Sequence, residues 1–469
     1  VSESLTLVDK IWRDHVVRAF GDNAYLLHVD RAMLHELAAV VFRSLKEMGR
    51  PVLRPELTFA TVDHLLDTRP GRGDETLIPN GADFIRQLRA GAQDTGVRLF
   101  DIDSPEQGIV HVMAPEQGIA LPGLVFVCCD SHTSTLGGLG ALAWGIGTTD
   151  LEHVMATGCI VQTKPQSMRV DFTGTPTSDV TAKDLVLHLI GRVSADGGNG
   201  YVIEYGGPVI ERLSVEQRMT LCNMSIELSA RAGLVAPDDR VFEFLAGRPF
   251  APRGREWERA LAHWRMLRSD AGAAFDRRIT IECSQLTPQV TWGTSPEHVI
   301  GVGERVPDPD CGATARERAS MARALDYMGL SPGEPIAGVQ IEAAFIGSCT
   351  NSRISDLRAA ARVLEARKVS EGVVAICTPG SGETKRQAEA EGIDRIFRDA
   401  GFEWREPGCS LCMSGGAGGE RFPEHARVIT STNRNFEHRQ GRNVRSHLAS
   451  PETVAASAIA GRIAAAGRL

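Results

Sequence analysis

No apolar run in this chain has the length and purity that a bilayer-spanning helix needs, and Leu121 to Cys129 is the size of a buried strand. Glu3, Asp9 and Asp14 break up the apolar residues near the first position, where a secretory leader would carry none. A cytoplasmic protein is expected, or an organellar form with its targeting segment removed. There is no surplus of positive charge either: 51 Lys and Arg against 59 Asp and Glu give −8 and an isoelectric point near 6.0. That balance excludes an overall basic field that would gather nucleic acid or anionic membrane. Cysteine is too sparse and too irregular, ten in 469 residues, for a disulfide scaffold, which leaves thiols or metal ligands. Internal repeats and low-complexity tracts are missing. The glycine runs at 137–140 and 415–419 have no Lys-Ser/Thr after them, so neither is a phosphate-binding P-loop.

What is present is the profile of a large α/β enzyme: 469 residues, 42% hydrophobic, 23% charged and 48 glycines, enough chain for two to four domains. Thr6 with Asp9, Thr181 with Asp184 and Ser214 with Gln217 have the spacing of helix-capping boxes. Met33, Leu37, Val41 and Leu45 predict a helix after Asp30 that ends near Gly49. Asn223 and Glu227, four apart, are expected on one helical face. Leu124 to Cys129 reads as a buried strand running into Asp130-Ser131-His132-Thr133. Polar residues at the carboxyl end of such a strand stand where open α/β sheets bind ligands. Later, strands at 343–346, 373–377 and 427–429 each run into a polar turn, which predicts a shared rim. Regions 1–165, 166–288 and 289–469 are the expected α/β domains.

Three cysteines carry the main chemical signal: Cys349 in Gly347-Ser348-Cys349-Thr350-Asn351-Ser352-Arg353, and Cys409 with Cys412 in Pro407-Gly408-Cys409-Ser410-Leu411-Cys412. Alone, the C-x-x-C pair reads equally as half a zinc site, a dithiol redox pair or two iron–sulfur ligands. With Cys349 added, a cluster held by three thiolates becomes possible, one iron staying free as a Lewis acid. Cys128, Cys129, Cys159, Cys283, Cys311 and Cys377 are read as structural. His64 and His132 share strand-end turns with Asp63 and Asp130, and a neighbouring carboxylate fixes an imidazole's tautomer for proton transfer. His111 lies in Gly108-Ile109-Val110-His111. Arg434 and Arg439 flank Asn435-Phe436, and two guanidinium groups in one loop suit a di-acid as well as they suit a solvated turn.

Together these stretches resemble the aconitase superfamily, and within it the large subunits of isopropylmalate dehydratases. The likeness covers essentially the whole chain, through Phe59 to His64, Gly108 to Met113, Asp130 to Thr133, Thr220 to Met224, Gln289 to Thr294, Ile346 to Arg353, Pro407 to Cys412 and Ser431 to Phe436. The resemblance implies three α/β/α domains around a [4Fe-4S] cluster held by Cys349, Cys409 and Cys412, one iron remaining unligated by cysteine. It implies that Asp63 and His64 protonate a leaving hydroxyl, that His111 pairs with Asp130 and that His132 pairs with Glu227. Ser131 and Asn223 would line the cluster pocket, and Asn433, Arg434 and Arg439 would contact substrate or the adjacent wall.

The implied reaction is a hydro-lyase isomerisation of a substituted malate by dehydration and rehydration, 2-isopropylmalate to 3-isopropylmalate in leucine biosynthesis. Other substituted malates are the alternative: methylmalate, dimethylmalate, homoaconitate or a secondary-metabolite analogue. In the family the base is a serine on a swivelling domain. The chain ends soon after Ser446 to Pro451 and an alanine-rich helix, so that domain is expected on a separate small subunit, as a heterodimer. A cluster-losing RNA-binding regulator is disfavoured by the negative charge and the missing domain. The sequence departs from the isopropylmalate pattern at Met413 to Gly419, and at Cys129 and His438, which replace glycines usual in the family.

Overall fold

The structure is a computed structural model that describes residues 4–413 and 419–468. The chain divides into two compact units, each made of several segments. Residues 1–65, 80–174 and 198–282 form the first, and residues 66–79, 175–197 and 283–469 the second.

The first unit is built on a five-stranded parallel sheet. Its strands in spatial order are Arg98–Phe100, Thr58–Thr61, Arg31–His35, Val125–Cys128 and Leu142–Gly145. Numbered along the chain that order is 3-2-1-4-5, so the winding reverses between Arg31–His35 and Val125–Cys128. At such a reversal the connections leave the strands' carboxyl ends in opposite directions and open a crevice. Val125 to Cys128 have no exposed surface, as expected of a strand covered on both faces. The same unit holds a four-stranded parallel sheet, Ala232–Val235, Tyr201–Gly206, Gln166–Thr173 and Arg277–Glu282, and a three-stranded antiparallel one, Val16–Gly21, Ala24–His28 and Cys159–Thr163.

The second unit repeats the 3-2-1-4-5 order with Phe402–Trp404, Val374–Cys377, Ala343–Ile346, Arg427–Thr430 and Arg445–Leu448, all parallel. Its first strand alternates: Ala344 and Ile346 belong to one core cluster with Leu357 and Val454, while Ala343 and Phe345 belong to another with Leu411 and Phe422. Both faces are therefore covered. The three strands expected to share a rim are neighbours in this sheet.

All three capping boxes form, at the starts of helices Leu7–His15, Ala182–Val193 and Val215–Asn223. Two expectations are corrected. The helix after Asp30 begins only at Val40, because Met33 lies in the central strand Arg31–His35 and Leu37 in a 3-10 turn. A short apolar run at a sheet's centre matches a helical stripe by chance, and periodicity alone does not separate them. The helix of Asn223 ends at that residue and Glu227 lies in a following 3-10 turn, so the two do not share an α-helical face.

The glycine run at 137–140 is explained by packing. A methyl group on Gly137 would stand 1.7 Å from the carbonyl oxygen of Gly233, and one on Gly138 would stand 2.6 Å from the backbone nitrogen of Met219. Neither backbone atom can move aside, so Gly137→Ala is expected to cost about 3 kcal/mol or more. At Gly73, where nothing lies within 4 Å, the same change is expected to stay within about 0.5 kcal/mol. Denaturant unfolding of both variants beside the parent chain checks the difference.

Candidate active site

In the first unit the candidate side chains gather where the winding reverses. Strand Thr58–Thr61 delivers Asp63 and His64, strand Arg31–His35 ends on His35, and strand Val125–Cys128 leads to Asp130. His64 lies between two carboxylates: its Nδ1 is 2.5 Å from Asp63 Oδ1 and its Nε2 is 3.1 Å from Asp130 Oδ2. Ionised carboxylates only accept, so both contacts form at once only when the ring carries both protons.

Burial pushes the Asp63 carboxyl up, but the charge and hydrogen bond of His64 and the Val110 N–H outweigh it and hold the group below its ordinary value. Asp130 is held well below the carboxylate range, burial being overcome by the charge of His111 and by hydrogen bonds from His132 and His64. The Asp130 Oδ1 atom accepts the backbone N–H of His132 at 2.6 Å.

The remaining expected residues of this unit fall around that core. His132 Nε2 is 2.7 Å from Glu227 Oε1, a direct pair. His111 stands 3.8 Å from Asp130 through Nδ1, an ion-pair distance beyond a hydrogen bond, while its Nε2 meets Thr133 Oγ1 at 3.3 Å. Ser131 Oγ is 3.4 Å from His132 Nδ1. Asn223 donates to Thr135 Oγ1 at 2.8 Å, and Thr135 donates to the His132 carbonyl at 2.6 Å, so Asn223 supports the histidine's backbone.

Two residues escaped the sequence reading. Glu36, fully buried, accepts the backbone N–H groups of Asp63 at 3.1 Å, His64 at 2.7 Å and Leu65, and so fixes the whole turn. The His35 ring stacks on that of His64 at 4.1 Å between centroids. Its Nδ1 accepts from the Leu37 N–H, which puts the proton on Nε2, a buried atom with no hydrogen-bond partner among the described residues. The adjacent pair His35-Glu36 at the end of an apolar run was the available signal, and it was hidden by the helix assignment.

The second unit holds the three cysteines. Cys349 follows strand Ala343–Ile346, and Asn433 follows strand Arg427–Thr430, again the two strands where the winding reverses. Cys409 and Cys412 follow strand Phe402–Trp404, with Leu411 between them buried in a core cluster. Ser348 and Ser410, beside the thiols, have φ of +76° and +48°, a region that costs most side chains about 1–2 kcal/mol. The Cys349 turn is held by Arg353, whose Nη1 and Nη2 donate to the carbonyls of Thr350 and Cys349 at 2.8 Å each. The Cys409 turn is held by Thr68, whose hydroxyl donates to Ser410 Oγ at 3.0 Å, and by Arg72 on the Pro407 carbonyl.

These residues fit an iron–sulfur cluster. All three thiols are buried, and N–H donors are aimed at sulfur: Asn433 Nδ2 at Cys349 Sγ, 3.4 Å, and Arg439 Nη2 at Cys412 Sγ, 3.5 Å. In the cluster-free chain the Cys412 thiol donates to Asn433 Oδ1 at 3.7 Å, so one amide spans two thiols. The Arg439 guanidinium also lies over the Phe436 ring, 5.2 Å away, and Arg434 is half-buried. His438 adopts φ +65°, the conformation a glycine would take freely, and its backbone N–H donates to the Tyr327 hydroxyl at 2.9 Å. Most of the Met413 to Gly419 departure, residues 414–418, lies outside the described residues. Of the cysteines read as structural, burial raises the thiols of Cys128 and Cys377 well above their ordinary value, whereas Cys311 is exposed and packs in no core.

The chain is 54% identical over 460 residues to "3-isopropylmalate dehydratase large subunit 1" of Bradyrhizobium diazoefficiens, covering 98% of this chain and 96% of that protein. A solved structure, aconitase X of Thermococcus kodakaraensis in its holo-form, matches with a TM-score of 0.45 and 12% identity over 91% of this chain and 89% of that one, too distant a likeness to bear on either fold or function. The family model described as "Aconitase family (aconitate hydratase)" matches residues 9–461, and the chain belongs to that family.

Proposed function

We propose that this chain is the large subunit of a [4Fe-4S] hydro-lyase that converts 2-isopropylmalate to 3-isopropylmalate, acting with a small subunit in the cytoplasm. The observation that carries the proposal is His64 between Asp63 and Asp130 in a chain 54% identical to an isopropylmalate dehydratase large subunit. The three-domain division is part of the reading and is supported by three separate parallel sheets, whose strands fall within 1–165, 166–288 and 289–469.

In this reading Cys349, Cys409 and Cys412 hold the cluster. When bound, the cluster supplies a Lewis-acidic iron open to a substrate oxygen. The Nδ1–H of His64 stays tied to buried Asp63, so the mobile proton is the one on Nε2, which goes to the departing hydroxyl and leaves with it as water. A base takes the proton from the neighbouring carbon, and the C–H electron pair becomes the double bond. Adding water in the opposite orientation reverses each transfer and completes the isomerisation. Asp130 orders His64 and His111, and Glu227 fixes the ring of His132. His35 Nε2 offers a donor to a substrate oxygen, and Arg434 and Arg439 offer charge to a substrate carboxylate. The base is assigned, by family resemblance, to a serine of a small subunit; the relative's designation as a large subunit supports the existence of such a partner.

Replacing the proton donor tests the central assignment. His64→Asn is expected to lower kcat by about 10²–10⁴-fold in the reconstituted two-subunit enzyme, measured below the variant's own melting temperature. A variant with more than half of parental turnover would remove His64 from the mechanism.

The cofactor and the split site are tested together by anaerobic reconstitution with a candidate small subunit. The assay follows interconversion of 2- and 3-isopropylmalate, with methylmalates, homocitrate-type acids and citrate in parallel. Isopropylmalate is expected to be the best substrate, the chain alone is expected to turn over negligibly, and Cys349→Ser is expected to lose the broad visible absorption of the cluster. Full activity without a partner, or a full cluster in Cys349→Ser, would overturn the corresponding assignment.

A further inference from the structure

Lys183 lies far in sequence from every residue assigned above, and it is almost fully buried, with 1% of its surface exposed. It stands in the first turn of helix Ala182–Val193, in a segment that belongs to the second unit. Its ammonium group donates to the carbonyls of Ser431 at 3.0 Å and Thr432 at 2.5 Å. The Thr432 carbonyl is half of the peptide that carries the backbone N–H of Asn433, so gripping it sets the plane from which the Asn433 side chain departs. That side chain is the one whose amide reaches Cys349 and Cys412.

We propose that Lys183 is a positioning residue: by holding the carbonyls of Ser431 and Thr432 it aims the Asn433 amide at the two thiols. Burying an ammonium costs several kcal/mol unless strong hydrogen bonds offset it, and a methionine would fill the same space without that cost. Packing alone therefore does not account for a lysine here. Charge-assisted bonds to two successive carbonyls do, because they fix a loop at the one place where it leaves the sheet. Ser431 is tied on its other side, its Oγ accepting the Gly347 N–H at 3.1 Å and its backbone N–H meeting the Phe345 carbonyl at 3.0 Å. Asn435 Nδ2 donates to the Gly293 carbonyl at 2.6 Å. Between those two ties, Lys183 holds the carbonyl just before Asn433.

The inference rests on Cys349 and Cys412 being cluster ligands, but its test begins on protein without a cluster. In the cluster-free full chain, Lys183→Met is expected to melt cooperatively within a few degrees of the parent, while alkylation of Cys349 and Cys412, followed by mass spectrometry, speeds up roughly tenfold. Asn433→Ala is expected to do the same, and the double variant is expected to add nothing to Asn433→Ala, because both changes remove one interaction. In the reconstituted protein Lys183→Met is expected to shift the electron paramagnetic resonance signature of the reduced cluster and to lose iron faster to a chelator. Should Lys183→Met fail to melt cooperatively, the comparison moves to Lys183→Gln, which keeps one donor and is expected to give intermediate alkylation rates. Parental alkylation in either folded variant, or additive effects in the double variant, would overturn the proposal. Failure of the ligand assignment looks different: Cys349→Ser would keep its cluster, whatever the alkylation rates.

Discussion

Asp63 and Asp130 keep their charges in surroundings that disfavour charge, and His64 between them is what both have in common. A buried carboxylate without such a partner would take up a proton and stop orienting anything. The pairing also works in the other direction: two carboxylates facing one ring keep both of its protons in place. Glu36 sits beneath this arrangement and binds three consecutive backbone N–H groups, which leaves the Asp63–His64 turn little freedom to drift.

The fold puts chemistry where backbone geometry leaves an opening. Both five-stranded sheets have the order 3-2-1-4-5, and in both the candidate site residues follow the first and fourth strands, with others from the second or third. The reason is topological, since connections diverging from neighbouring parallel strands cannot cover the ends between them. Two unrelated donor sets, imidazoles with carboxylates in one unit and thiols with amide and guanidinium groups in the other, therefore occupy equivalent places in their sheets.

Much of this was legible in the sequence because the signals were local. Capping boxes need residues three apart, buried strands read as apolar runs, and C-x-x-C is a short pattern, so helices Leu7–His15 and Ala182–Val193 and strand Val125–Cys128 were placed correctly. The pairing of His132 with Glu227 came from family resemblance, as did the role of Asn223, whose contact is to Thr135. What stayed hidden depends on residues brought together across the chain. The strand Arg31–His35 imitated a helical stripe, and with it His35 and Glu36 were lost as site residues. Lys183 could not be read at all, because nothing near it in sequence says that its partners are two carbonyls at positions 431 and 432.

The cost of the site is visible in the same places. Ser348 and Ser410 adopt left-handed conformations next to the thiols, and Lys183 and Arg353 place cationic groups in the interior. Each is unfavourable by itself, by about 1–2 kcal/mol for the strained serines and more for an unpaired buried charge. Each is offset by contacts that also fix direction: Thr68 on Ser410, and Arg353 on the carbonyls of Thr350 and Cys349. A chain selected for stability alone would place glycines and apolar side chains at these positions. Strained serines and buried cations persist together around three thiols because a turn pinned from several sides holds a sulfur atom in one direction, which an unstrained flexible loop would not do.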